Sequence, residues 1–427
     1  MAGGVASDVL VQGARQWSST GQRPETRDLF LTPDNARRMA QQLSEMRGAA
    51  MKMGQLLSME AGEVLPREFV EVLDRLREDA HYMPYRQLID CLNQAWGPEW
   101  RDHFEYFPFT PMAAASIGQV HKAKLKDGPE VAIKVQYPGV RESIDSDVDN
   151  VVRLVRWFQV FPEDMDLTPM IEEAKRQLHA EADYRQEADW LRTYRDRIRD
   201  VPGFRLPEVI EGLTTERVLT MTYVDGHPIE DVETAPAELR DRVATAMVDL
   251  GLRELLEWGL VQTDPNFANY RYDPATGAIG LLDFGATRSY GPELRDRLVT
   301  LFRAIRDQDE ERMVDTAVDA GYFDPDEARR YRSEFKRLGR MAAEPMRERA
   351  PYDFGRARLS SRMRDQLLSM DFDRRFLKLP IPELMFVQRK LTGLYLLCGR
   401  LGARINVVEL LDPYLERDTA RAPQHTD

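Results

Sequence analysis

Between Asn35 and Met59 the apolar residues Met39, Leu43, Met46, Ala50, Met53 and Leu57 recur at three- and four-residue steps, the spacing of one buried helix face. Asp34, directly after Pro33, suits the N-cap of that helix. Two more helices are expected near Arg67–Arg77 and Tyr85–Ala95, each opened by a preceding proline. The text then turns strand-like. Phe104–Phe109, Gly118–Leu125 and Glu130–Gln136 read as strands, and Lys126-Asp127-Gly128 has the composition of a hairpin turn. Past Tyr137-Pro138-Gly139 two long helical stretches are expected, about Ile144–Phe161 and Pro169–Arg199, before short strands return at Glu208–Ile210 and Arg217–Tyr223. From Ala235 onward nearly everything reads as helix, interrupted by Val261–Asp283, and Pro380 with Pro382 sets the start of a last major helix. Residues 1–32 are polar and without clear period, so part of them is expected to be poorly ordered.

Composition narrows the class. A chain of 427 residues suggests about two or three structural units. Its net charge of −13 argues against a broad nucleic-acid footprint. Only nine of the 59 basic residues are lysine, so Lys52 and Lys134 come from a small set. Two cysteines, Cys91 and Cys398, cannot build a disulfide framework or a cysteine metal site, and a reducing compartment is expected. No apolar run reaches the roughly 18 residues of a membrane-spanning helix. Leu391–Leu397 comes nearest and is hemmed in by Arg389, Lys390 and Arg400. The N-terminus has no apolar signal core, and Asp8, Glu25 and Asp28 among its arginines fit a mitochondrial transit peptide poorly. The expectation is a soluble intracellular protein.

The chemistry lies in a series of ordered motifs. Val131-Ala132-Ile133-Lys134 has the strand signature in which a kinase lysine contacts nucleotide phosphates. A buried lysine needs a carboxylate, because an unpaired buried charge is costly. Glu187, 53 residues on, is the expected partner, which leaves room for a helical insertion. Asp264 and Asn269 are five apart, as in a kinase catalytic loop, within Gln262-Thr263-Asp264-Pro265-Asn266-Phe267-Ala268-Asn269. Asp283, in Asp283-Phe284-Gly285, follows Asn269 by fourteen residues. Oxygen donors from Asn269 and Asp283 suit magnesium, which keeps waters and leans on substrate phosphates. Fourteen residues before Lys134, Val120 closes the segment Ala113-Ala114-Ala115-Ser116-Ile117-Gly118-Gln119-Val120. It stands where kinases carry a glycine loop. Glycines let backbone N–H groups approach phosphates and reach positive φ, and three alanines restrict both. Lys52 and Gln55 share one face of the first helix, almost opposite its apolar stripe, and by period alone that face is solvated surface. Gly48 and Gly54, each costing ~1 kcal/mol in a helix, point instead to close packing.

Together these residues resemble the UbiB-like atypical kinase family, also called AarF-like or ADCK-like. The motifs are Lys52-Met53-Gly54-Gln55 (KxGQ), the alanine-rich Ala113–Ser116, Val131–Lys134, Glu181-Ala182-Asp183 (ExD), Gln262–Asn269 and Asp283–Gly285. The resemblance implies an α+β, protein-kinase-like two-lobe fold with a helical KxGQ extension over 33–100. A small lobe with a helical insertion would occupy 101–225, a mostly helical large lobe 226–415, and a tail 416–427. Val224-Asp225-Gly226 would cross between lobes. It implies that Lys52 and Gln55 lie over the active site, with Glu181 as salt-bridge partner of Lys52 and Asp183 in the same motif. Ala113–Ser116, Val120, Met221 and Tyr223 would line the nucleotide, with Asp264 catalytic and Asn269 and Asp283 on the metal. ATP or ADP with Mg2+ would be the cofactors. Ubiquinone biosynthesis would be the setting, with quinone-precursor lipids, a membrane surface and quinone-biosynthesis proteins as partners, no nucleic acid, and a cytoplasmic location peripheral to the inner membrane. ATP hydrolysis or transfer to an unknown acceptor is the implied reaction. Two features depart from kinase patterns: no histidine precedes the catalytic-loop aspartate, and Thr222 stands where a glutamate is frequent. A protein kinase acting on protein substrates and a non-catalytic nucleotide-binding scaffold are the alternatives.

Overall fold

The computed structural model describes residues 82–115, 117–157, 168–264, 266–369 and 381–416. The expected helices Asn35–Met59 and Arg67–Arg77, with Lys52 and Gln55, lie outside them, as do Ser116, Pro265, Pro380 and the two chain ends. The chain divides into two compact units. The first falls within Met1–Gln186 and Ile210–Tyr223, the second within Glu187–Val209 and Val224–Asp427.

In the first unit, α1 (Tyr85–Trp96) follows Pro84 and stops at Gly97, whose positive φ of 83° suits glycine at a helix end. It buries Leu88 and Leu92. The strands β1 (Phe104–Tyr106), β2 (Ala113–Ala115), β3 (Gly118–Leu125) and β4 (Glu130–Gln136) then run up to α2 (Val140–Trp157) and α3 (Thr168–Glu181). β1 is shorter than the expected Phe104–Phe109, because Pro108 has no N–H to continue a ladder. Asp127 (φ 55°) makes the β3–β4 hairpin turn expected at Lys126-Asp127-Gly128. The single helix expected over Pro169–Arg199 is instead two. α3 ends at Glu181 and α4 (Tyr184–Ile198) begins after Asp183, whose carboxylate accepts the Arg185 N–H (3.1 Å), as an N-cap does.

β5 (Phe204–Arg205) belongs to the second unit and β6 (Val218–Thr222) to the first. Of the strand expected at Glu208–Ile210 only a bridge at Val209 forms. The Arg195 guanidinium takes the carbonyls of Leu206 (3.4 Å) and Pro207 (2.7 Å), so they are not offered to a ladder. The first unit's sheet runs β1-β3-β4-β6, with β2 also on β3, all antiparallel. Residues directly opposite each other share a face. Ala123, Val131, Ile133, Val135 and Val218 face a core with Leu88, Leu92, Trp100 and Phe104.

The second unit continues with β7 (His227–Pro228) and α5 (Ala237–Arg253), then β8 (Leu260–Gln262), β9 (Tyr270–Tyr272), β10 (Ile279–Leu281) and β11 (Thr287–Ser289). β10 pairs with β9 and, in parallel, with β5, while β8 pairs with β11. Helices dominate the rest: α6 (Pro292–Arg306), α7 (Glu310–Ala320), α8 (Pro325–Arg330), α9 (Arg332–Ala342), α10 (Phe354–Ala357), α11 (Leu359–Ser369), α12 (Pro382–Arg400) and α13 (Val407–Glu416). α12 opens with proline in its first turn, as Pro382 predicts.

Candidate active site

The alanine segment is a strand, not a loose loop. Ala113 pairs with Val120 and Ala115 with Gly118, and the Met112 N–H extends the ladder to the Val120 carbonyl (2.8 Å). Gly118 is the one glycine this hairpin requires, since a side chain there would collide with the Val135 carbonyl oxygen and stand 3.0 Å from the Tyr184 hydroxyl. Pairing puts Val120 opposite Lys134, Lys134 opposite Leu219, and Ala132 opposite Met221. Ala113, Val120, Lys134 and Met221 therefore share the sheet face turned away from the core cluster, while Ala114 falls on the other side. Lys122, which sequence reasoning passed over, joins that face. Its ammonium sits 4.0 Å from the Tyr223 ring centroid, a cation–π contact. Lys134 is 6% exposed, held on β4 between β3 and β6. Glu181 and Asp183 flank the α3–α4 break, and Ala182 between them accepts the Gln136 side-chain N–H (3.0 Å).

In the second unit, strand pairing brings the other predicted residues together. Tyr270 opposes Leu281, and one residue outward the Asn269 carbonyl accepts the Leu282 N–H (3.0 Å). Asn269 thus lies against the segment carrying Asp283. Its side-chain amide donates to Asp264 Oδ2 (3.2 Å), which leaves its own oxygen as an acceptor. Asp264 Oδ1 accepts the Asn266 N–H (3.3 Å), and Asp283 Oδ1 accepts the N–H of Gly285 (3.0 Å). Thr263 ties the segment before Asp264 to the chain just after Asp283, its N–H (3.2 Å) and hydroxyl (2.7 Å) both reaching the Ala286 carbonyl. Glu187, buried, accepts the Phe284 N–H (3.4 Å). Burial, then the charges of Glu254, Asp264 and Asp283, hold the Tyr270 hydroxyl protonated far above its ordinary range. Asn269 and Asp264 are thus joined side chain to side chain, and the segment carrying Asp283 lies against Asn269.

Residues 75–317, more than half of the chain, match the ABC1 atypical kinase-like domain. The chain belongs to the ABC1 atypical kinase family. Its fold is accordingly α+β and kinase-like. Among its relatives is the rat protein named atypical kinase COQ8B, mitochondrial, 36% identical over 91% of this chain and 73% of that protein. The Saccharomyces cerevisiae atypical kinase COQ8, mitochondrial, is 34% identical over 96% of this chain and 82% of its own length. A solved Rv3197–erythromycin complex from Mycobacterium tuberculosis is similar too, at 26% identity and TM-score 0.60, covering 88% of this chain and 94% of that one. Among the described residues no helix is long and apolar enough to cross a membrane.

Tyr194, Glu254, Tyr270 and Lys390 escaped sequence reasoning. Only Lys390 left a trace there: a scarce lysine beside the most apolar run of the chain.

Proposed function

We propose that this protein binds Mg-ATP and transfers the γ-phosphoryl group to water or to a small acceptor, in support of ubiquinone or related isoprenoid-quinone metabolism. The observation that carries the reading is the Asn269–Asp264 hydrogen bond beside the Asp283 segment. In this reading Asn269 and Asp283 are the magnesium ligands, and the metal supplies charge neutralisation on the phosphates. Lys134 neutralises the phosphates from its strand, Glu187 steadies the backbone after Asp283, and Asp264 orients the acceptor. The bond from the γ-phosphorus to the oxygen of the leaving ADP breaks as the bond to the acceptor oxygen forms, and Asp264 takes the acceptor's proton. Val120, Met221 and Tyr223 line the base, and Ala113–Ser116 closes over the phosphates with less backbone freedom than a glycine loop. Lys52, Gln55, Glu181 and Asp183 would limit access by a peptide, which favours water or a lipid precursor over a protein substrate. The reading includes action at a membrane surface, with quinone-biosynthesis proteins nearby.

The test is magnesium-dependent phosphate release from the purified chain, with and without anionic lipid vesicles, beside a search for phosphorylated products. Wild-type release that Asp264→Asn removes supports the reading. Nucleotide binding with no turnover under any of these conditions would favour the scaffold alternative.

A further inference from the structure

α5 does not end in an ordinary turn. Residues Glu254–Trp258 form a wider π-helical turn before Gly259 enters the left-handed region at φ 61°, and such turns gather at functional sites. The turn sends Glu254 wholly inside the second unit. Its Oε1 accepts from the Tyr194 hydroxyl (2.7 Å) and from the backbone N–H of Gln262 (3.1 Å). Its Oε2 pairs with the buried ammonium of Lys390 on α12. Gly251, three residues earlier, permits this approach, since a side chain there would run into Leu394 and meet Lys390 Cε at 3.5 Å.

Gln262 opens the catalytic segment. Its side-chain N–H groups reach the carbonyls of Asp264 (3.0 Å) and Asp283 (3.4 Å), and its oxygen accepts the Tyr270 hydroxyl (3.4 Å). Glu254, Gln262, Asn269, Asp283 and Lys390 line one small cavity. A buried ion pair is weak evidence of stabilisation, because well-packed apolar replacements are often as stable. The arginine-rich chain nevertheless buries lysine here and at Lys134, and at no other described position.

We propose that Glu254 and Lys390 are positioning residues for phosphoryl transfer. Lys390 fixes the Glu254 carboxylate, Glu254 fixes the start of Gln262, and Gln262 sets the spacing of the Asp264 and Asp283 backbones. The inference rests on the Mg-ATP reading above.

The experiment compares Lys390→Met, the double variant E254Q/K390M and the double variant E254L/K390M, per folded molecule and well below each Tm. Lys390→Met leaves the carboxylate without its counter-ion, so kcat for phosphate release should fall roughly a hundredfold, the scale of a slightly misplaced catalytic group. KM for ATP and the Mg-ATP thermal shift should stay at wild-type values. E254Q/K390M keeps an oxygen for Gln262 and should recover most of kcat. E254L/K390M has no acceptor and should stay low. A purely structural role would move Tm and leave kcat alone. Should Lys390→Met fail to fold, the two double variants decide, and equal kcat between them overturns the proposal. A wild-type chain that neither binds Mg-ATP nor releases phosphate sinks the underlying reading instead, whereas an active wild type with unchanged variants sinks only the positioning role.

Discussion

Glu187 reaches the backbone of Phe284, the Phe284 N–H donating to the Glu187 carboxylate at 3.4 Å. Two turns further along α4 the Tyr194 ring lies 5.0 Å from the Phe284 ring. One helix face therefore holds both backbone and side chain of the residue after Asp283. Glu187→Leu leaves that buried N–H without this acceptor and should cost about 1–3 kcal/mol. Glu187→Gln keeps an oxygen there and should cost less. Urea denaturation reads the difference, and equal losses would mean the bond contributes nothing.

If Asp283 holds magnesium as proposed, Asp283→Asn should abolish magnesium-dependent nucleotide binding, because it removes the ligand's charge while keeping an oxygen for the Gly285 N–H. A ligand that binds only the folded state raises Tm by mass action. The variant should show no Mg-ATP shift while its unliganded Tm stays near wild type. A full shift would remove Asp283 from the metal site.

That Asn269 meets Asp264 and that Lys134 is buried on a strand were legible in the chain, because short, ordered spacings tie these residues together. The strand bearing Lys134 and its hairpin partner were equally legible, since Glu130–Gln136 and Gly118–Leu125 match β4 and β3. The α3–α4 break was not. Apolar period continues through it, and what ends α3 is the Asp183 side chain together with the Tyr184 N–H reaching the Glu216 carbonyl (3.0 Å), a residue far away in sequence. Glu254 and Lys390 were hidden for a related reason. They lie 136 positions apart and meet only after α5 and α12 pack at Gly251, which no local pattern announces.

The alanine strand and its glycine should respond in opposite ways. Gly118→Ala drives a methyl into the Val135 carbonyl, and overpacking of this kind costs about 1–3 kcal/mol. Ala113→Gly, at an exposed position, should leave stability within about 1 kcal/mol while freeing the backbone where the phosphates are proposed to lie. Its expected signature is an altered nucleotide affinity or self-phosphorylation at nearly unchanged Tm. Wild-type affinity and product pattern would mean that the alanines do not restrict the nucleotide.

Acid should weaken the first unit through one buried histidine. His121 is fully buried on β3, its Nδ1 2.9 Å from the Pro108 carbonyl and its Nε2 2.8 Å from the Gln119 amide nitrogen. The Gln119 oxygen already accepts the Met83 N–H (2.7 Å), which fixes the amide so that its nitrogen faces the ring. His121 must then donate from Nδ1 and accept at Nε2, which is the neutral tautomer. Burial pushes its pKa below the ordinary 6.5, with the Pro108 carbonyl opposing more weakly. A histidine whose folded pKa is depressed contributes its full stability above the unfolded value. That contribution is lost as pH falls below about 6.5 toward the folded pKa, where the unfolded chain binds the extra proton. Wild-type stability should therefore decline between pH 7.5 and 5.5, and His121→Leu, although less stable at neutral pH, should decline less steeply. Parallel slopes for the two proteins would show that another group carries the acid sensitivity, and that the ring beside Gln119 is held no differently from a histidine in water.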